Sequence, residues 1–233
     1  MNLQRLLEPP VDSLVSARRQ LATVRMAAYA VNELTVGDLV ETGVFRGGTT
    51  VLMARVLHNL SANRVLWACD SFRGLPRAQA QDDNRHGCIE TKLPPRRSCN
   101  RGRLGFFRAP QATLERTLHN EGLTHHVRIV PGWFHESLPP RGLRAISMLR
   151  IDGDSFNGTY EALQRLYPLV VHGGIVYIDD AGSFRGATVA METYFHNNPP
   201  SVTRIREVEG WYEAVWWRKG TPRNWLFGEG LSL

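Results

Sequence analysis

Two apolar runs in this chain end on paired acids, and that repeated ending limits both the fold and the chemistry. Leu149-Arg150-Ile151 leads into Asp152-Gly153-Asp154, and 27 residues after Asp152 the run Gly174-Ile175-Val176-Tyr177-Ile178 ends on Asp179-Asp180. Short apolar runs rich in β-branched residues read as buried strands. If the two strands are parallel neighbours, all four carboxylates meet at one edge of a sheet. Carboxylates so gathered raise one another's pKa unless a cation neutralises them, and hard carboxylate oxygens suit magnesium or calcium. The competing reading is that one or two of these acids only cap the helices that follow, since Asp is a good N-cap.

The 233 residues, 42% of them hydrophobic, are enough for one sizeable core, so one large domain is expected. No run of about 18 apolar residues offers a membrane span, and the amino terminus lacks a secretory signal pattern. The expectation is a soluble cytoplasmic protein with no membrane partner. Cys69, Cys88 and Cys99 are odd in number and have no metal-ligand spacing, so they read as reduced thiols. A net charge of +6 suits nucleic acid or an anionic substrate, but much of the excess falls within residues 96–108. Charge alone therefore does not make this a nucleic-acid protein.

Taken in order, the chain alternates strand-like and helix-like segments. Residues 1–11 carry Leu3, Leu6 and Leu7 before Pro9-Pro10, which fits a lid, an oligomer contact or a frayed end alike. Leu14, Val15, Leu21, Val24, Ala28 and Val31 recur with helical spacing over 12–34. Leu39-Val40-Glu41-Thr42-Gly43-Val44-Phe45-Arg46-Gly47-Gly48 reads as strand, glycine-rich turn and helix start, with the helix continuing over 49–60. In a doubly wound sheet such a turn lets backbone approach a nucleotide-like ligand. The spacing is Gly-x-x-x-Gly-Gly, so a plain strand-to-helix turn fits as well. The next strand, 64–70, ends on Asp70, where a carboxylate takes the two ribose hydroxyls of an adenosine. Capping of the turn Ser71-Phe72-Arg73-Gly74-Leu75-Pro76 is the alternative role for Asp70.

Residues 77–110 depart from core composition, with Pro94-Pro95 and the basic run through Arg96, Arg97, Arg101, Arg103 and Arg108. The segment reads as a mobile insertion over the cofactor edge. Only Phe106-Phe107 accompany the charge, which favours a solvated loop over a nucleic-acid site. His125-His126 open the next strand; adjacent histidines on a strand face opposite sides, cannot easily share one metal, and read as surface residues. Trp133 or Phe134 could cover a flat base, although core packing is the commoner use. A helix over 160–170 is closed by Gly173-Gly174 as a left-handed cap, a helix over 188–195 follows Asp179-Asp180, and 202–208 with 211–218 make a hairpin. Five alternations of strand and helix before an antiparallel pair outline an open α/β sheet of the class I methyltransferase kind.

Glu41-Thr42-Gly43-Val44-Phe45-Arg46-Gly47-Gly48, Asp70-Ser71-Phe72-Arg73-Gly74-Leu75-Pro76, Gly132-Trp133-Phe134, Leu149-Arg150-Ile151-Asp152-Gly153-Asp154 and Gly173-Gly174 through Asp179-Asp180 resemble, in that order, the macrocin O-methyltransferase family. The resemblance spans roughly 12–218. It implies a class I, Rossmann-like fold: a mostly parallel seven-stranded sheet, a C-terminal antiparallel hairpin and an N-terminal helical lid or extension over 1–36. The methyltransferase domain is then 37–220, and 221–233 a tail. The implied reaction is methyl transfer from S-adenosylmethionine, with Mg2+, to a hydroxyl of a small natural-product molecule, typically on a sugar. By the same resemblance Asp152, Asp179 and Asp180 hold the metal and Asp154 is the catalytic base. Glu41, Thr42, Gly43, Asp70, Ser71 and Asp152 are the expected cofactor contacts, and a homo-oligomer is left open.

This chain also departs from the family. Asp-Gly-Asp is usually followed there by one residue and then Tyr-Glu-Ser-Thr, whereas Ser155-Phe156-Asn157-Gly158-Thr159 stand here, and the tyrosine after the later pair is Ala181. Three rival functions remain at this level. They are a catechol-type methyltransferase, a glycosyltransferase using Asp152-Gly153-Asp154 as a DxD element, and a noncatalytic RNA-binding module.

Overall fold

The computed structural model describes residues 3–84, 88–89, 104–200, 203–208 and 211–221. Arg96, Arg97, Arg101, Arg103, Cys99 and the tail beyond Thr221 lie outside the described residues, so most of the basic segment does too.

A 3-10 turn, Leu3–Leu7, precedes the long helix α1 (Ala17–Glu33), whose first turn is capped by the Ser16 hydroxyl accepting from the Arg19 amide. Then come β1 (Asp38–Thr42), α2 (Gly48–Asn59) and β2 (Leu66–Asp70). The insertion contributes a two-residue pair, β3 (Asp83–Asn84) with β4 (Cys88–Ile89). The chain continues through α3 (Gln111–Asn120), β5 (Val127–Pro131), α4 (Phe134–Ser137) and β6 (Ile146–Ile151). Last are α5 (Phe156–Leu166), β7 (Val170–Ile178), α6 (Arg185–Tyr194) and the hairpin β8 (Thr203–Val208) and β9 (Trp211–Arg218).

The main sheet has the order β5-β2-β1-β6-β7-β9-β8. Its first five members are parallel, and β9 and β8 add antiparallel neighbours. Strand residues alternate between two apolar layers. Leu39, Met148 and Tyr177 pack with α1 and α2, whereas Val40, Leu149, Val176 and Ile178 pack with Ala162, Leu163 and Leu166 of α5. Helices on both faces explain why these strands read as nearly continuous apolar runs. α1 belongs to this layering, because Ala22, Val24, Met26, Ala27 and Ala30 are buried in the same cluster as Leu39.

Two local expectations are corrected. Gly173-Gly174 do not cap a helix: α5 ends at Leu166, the 3-10 turn Tyr167–Leu169 follows, and β7 runs from Val170 through both glycines. Pro168 cannot donate the amide an α-helix needs there. Gly173, at φ +77°, lies where the pairing of β7 with β6 shifts register. His125 and His126 are likewise not strand residues, since Thr124–His126 forms a 3-10 turn ahead of β5. No helix among the described residues is long and apolar enough to cross a membrane.

The chain builds β1, β2 and β5 outward on one side and then returns to place β6 and β7 on the other. The turns after β1 and β6 therefore diverge at a topological switch point, the place where open α/β sheets bind ligands. They approach closely there. A Cβ on Gly43 (φ +88°) would come within 1.7 Å of the Asp152 carbonyl oxygen, so only glycine fits.

Candidate active site

Four acids reach the C-terminal edge of β6 and β7, as parallel pairing of Ile151 with Ile178 requires. Their side chains then divide. Carboxylate oxygens of Asp152, Asp154 and Asp180 lie within 4.8 Å of one another. Asp179 also borders the cavity but is held by cations, 2.6 Å from Nη1 of Arg19 and 3.0 Å from Nη2 of Arg150, with the Tyr177 hydroxyl donating to it at 2.7 Å. Asp180 and Asp154 are also joined through backbone: the Asp154 amide donates to Oδ2 of Asp180 at 3.0 Å. Asp154 itself adopts the left-handed conformation at φ +53°, and the helix cap of α5 is Ser155, whose hydroxyl accepts from the Gly158 amide at 3.2 Å. Capping of α5 is thus not what Asp154 is used for.

The charge balance follows this division. Burial, then Asp154, Asp152 and Asp179, push Asp180 well above the ordinary carboxylate range. Burial and Asp179 raise Asp152 against the opposing pull of Arg150. Asp179 moves the other way: burial raises it, but Arg150, Arg19 and the Tyr177 hydroxyl together outweigh that and hold it low. Asp152 and Asp180 are therefore the acids raised where the carboxylates converge, and Asp179 is the one held low. Converging carboxylate oxygens are the donors a hard divalent cation takes.

Beneath the acids lies Arg150, fully buried within β6. Its guanidinium stands 3.1 Å from Glu41, 2.8 Å from Asp152 and 3.0 Å from Asp179. Burial lowers the Arg150 pKa, yet Asp179, Asp152 and Glu41 raise it well above the ordinary value, so it is a fixed cation. Glu41 accepts from the hydroxyls of Thr49 and Thr50, and burial lifts its pKa to about 7 despite Arg150 and those two donors. The network ties β1, α2, β6 and β7 together below the acids.

A cavity of about 470 Å3 opens beside them. Its wall includes Gly43, Asp70 and Ser71 from the first two turns, Trp133 and Phe134 after β5, and Asp152, Asp154 and Asp180. Of the expected cofactor contacts, Gly43, Asp70, Ser71 and Asp152 face this space. Glu41 and Thr42 are fully buried behind it. Asp70 does more than face the cavity. Its Oδ2 accepts from the amides of Val44 (2.7 Å) and Phe45 (3.0 Å), and its Oδ1 from Phe72 (2.7 Å). One carboxylate thus shapes the glycine turn and caps its own turn, the alternative role for Asp70, while it also borders the cavity.

The profile of the macrocin-O-methyltransferase (TylF) family matches residues 8–219. The chain belongs to that family. Among its relatives, the demethyldecarbamoylnovobiocin O-methyltransferase of Streptomyces niveus is 37% identical over 147 residues, 62% of this chain and 52% of that protein. The mycinamicin III 3''-O-methyltransferase of Micromonospora griseorubida is 32% identical over 159 residues, 65% of this chain and 58% of that protein. The chain spans about half the length of the curated relatives it matches. The solved O-methyltransferase NovP superposes with a TM-score of 0.73 at 27% identity, covering 88% of this chain and 81% of its own. The fold is that of the class I O-methyltransferases, and family membership implies S-adenosylmethionine as methyl donor.

Sequence reasoning missed Arg150, Arg19 and Asp82 at this site and gave Glu41 a cofactor role in place of its ion pair with Arg150. Arg150 and Glu41 carried a usable signal, a charge inside a run that otherwise reads as buried strand, and such charges persist only when paired. Arg19 carried none, because its Asp179 partner is 160 residues away. Asp82 is fully buried, with Oδ1 accepting from the Phe156 amide at 2.6 Å and Oδ2 from Gln79 at 2.8 Å. It anchors the start of the insertion to the N-terminus of α5, a contact that only the fold creates.

Proposed function

We propose that this chain transfers a methyl group from S-adenosylmethionine to a hydroxyl of a sugar or other natural-product moiety, with Mg2+ at the acid cluster. The observation that carries the reading is the convergence of Asp152, Asp154 and Asp180 on the wall of the same cavity as Gly43 and Asp70. Of the three expected ligands, Asp152 and Asp180 would hold the ion, while Asp179 also borders the cavity but is engaged by Arg19 and Arg150. A magnesium ion there supplies Lewis acidity, which makes a sugar hydroxyl a stronger acid at neutral pH. Gly43 and Asp70 bind the adenosyl end, and Trp133 and Phe134 exclude water from the other side. Holding donor and acceptor in line contributes about 7–11 kcal/mol in well-oriented cases. Asp154 accepts the hydroxyl proton while the acceptor oxygen bonds to the methyl carbon and the carbon–sulfur bond breaks, leaving a neutral thioether.

Calorimetry with S-adenosylmethionine, with and without Mg2+, tests the first half; methyl transfer to sugar-bearing and to phenolic acceptors tests the second. Cofactor binding together with transfer to a sugar hydroxyl that stops on chelation is the expected result. Absence of cofactor binding, or turnover indifferent to chelation, would sink the proposal, and preference for a phenol would move it to the catechol type. Asp180→Asn should weaken Mg2+ binding, with excess Mg2+ recovering part of the activity by mass action. Asparagine still accepts from the Asp154 amide, so the turn is retained. Asp70→Ala is expected to lower cofactor affinity by about tenfold or more, because a charged acceptor is worth about 1.5–3 kcal/mol per hydrogen bond. Unchanged affinity in the same calorimeter would remove Asp70 from the binding site.

A further inference from the structure

Three histidines meet at the rim of the sheet opposite the acids. His58 is in the last turn of α2, and His125 and His126 end the 3-10 turn that leads into β5 at its N-terminal end. The acids stand at the C-terminal ends of parallel strands, so the two clusters occupy opposite edges. On a strand, His125 and His126 would have pointed apart; in the turn their ring centroids are 3.9 Å apart, and the His58 ring lies 5.7 Å from His126 and 6.2 Å from His125. One ring nitrogen from each residue lies within 4.8 Å of the other two. His126 is only 8% exposed, and its Nε2 is buried with no hydrogen-bond partner among the described residues. A buried, unpartnered imidazole nitrogen beside two other imidazoles is a donor that lacks its acceptor. Burial, then His125 and His58, hold the His126 pKa below its ordinary value, which favours the neutral form that ligates metals.

We propose that His58, His125 and His126 bind a late first-row divalent ion, with zinc the best match, at a site separate from the acid cluster. Imidazole nitrogens suit zinc, nickel and copper, whereas magnesium and calcium take oxygen donors. Three nitrogen ligands with a fourth position open to water is an established zinc arrangement. Zinc–nitrogen bonds of about 2.0–2.1 Å require the rings to draw closer together. His58 and His125 are exposed and their side chains can turn inward toward the buried His126. Bound there, the ion joins the end of α2 to the start of β5, the edge strand of the main sheet.

The test uses the untagged full chain in saturating Mg2+, which occupies oxygen-donor sites, and titrates zinc chloride by calorimetry alongside thermal melting. The expected result is one zinc ion per chain and a higher melting temperature with zinc. His58→Ala and His125→Ala, both at exposed positions, should fold and melt like the parent without zinc but lose both the binding and the shift. Co2+ in place of zinc should give the visible spectrum of a nitrogen-ligated tetrahedral ion in the parent and not in either variant. Absence of stoichiometric zinc binding by the parent, or binding undiminished in both histidine variants, overturns the proposal.

Discussion

Arg150→Met is expected to lower the melting temperature by roughly 6–20 °C. Arg150 is fully buried and is shared by Glu41, Asp152 and Asp179 at 3.1, 2.8 and 3.0 Å. Methionine fills much of its volume but returns no charge, so the buried Glu41 and the half-buried Asp152 are left without their shared cation. Removing one partner from a buried ion network costs about 3–5 kcal/mol, far more than the net worth of the intact pair, because the stranded charge cannot regain its water. Asp179 is protected in part, since Arg19 remains 2.6 Å away. Arg150→Lys should recover little, because one ammonium group cannot span three carboxylates as a planar guanidinium does. Thermal melting of both variants decides the matter; a methionine variant that melts within a degree or two of the parent would show that the network contributes nothing to stability.

Asp154→Asn is expected to reduce turnover by about 100-fold or more while leaving S-adenosylmethionine and Mg2+ affinities near the parent values. The substitution is structurally mild. Asp154 holds φ +53°, a left-handed conformation that asparagine tolerates better than most residues, and its hydrogen bond to Asp180 is donated by its backbone N–H. Ser155 caps α5, so that helix is not undermined either. What disappears is the carboxylate that takes the proton, and added Mg2+ should not bring it back. This separates Asp154 from Asp180, whose loss is metal-dependent. Single-turnover rates, Mg2+ titrations and melting temperatures on the same variants make the comparison, and an Asp154→Asn protein that methylates at the parent rate would remove Asp154 from the chemistry.

Much of this architecture was legible in the sequence because it rests on short-range physics. Strands covered on both faces need continuous apolar runs, helices need their repeat, and a turn that must pass close to another backbone needs glycine. Hence Leu39-Val40, Gly43 and the endings Asp152-Gly153-Asp154 and Asp179-Asp180 mark the strands and the working edge in the sequence alone. The errors had local causes too. Pro168 and the bulge at Gly173 made a strand resemble a helix cap, and a 3-10 turn made two histidines resemble strand residues.

The sequence by itself determined which residue types arrive at the edge, since periodicity and motif order are properties of neighbours along the chain. Only the tertiary structure decided how the acids are shared out: Asp152, Asp154 and Asp180 converge, and Asp179 is held by Arg19 and Arg150. The same holds for Asp82 against the Phe156 amide and for His58 beside His125 and His126. Arg19 lies 160 positions from Asp179, Asp82 74 from Phe156 and His58 67 from His125. The energy of a carboxylate or an imidazole is set within a few ångströms by charges and donors around it, and no local pattern carries the distance to a group brought there by folding.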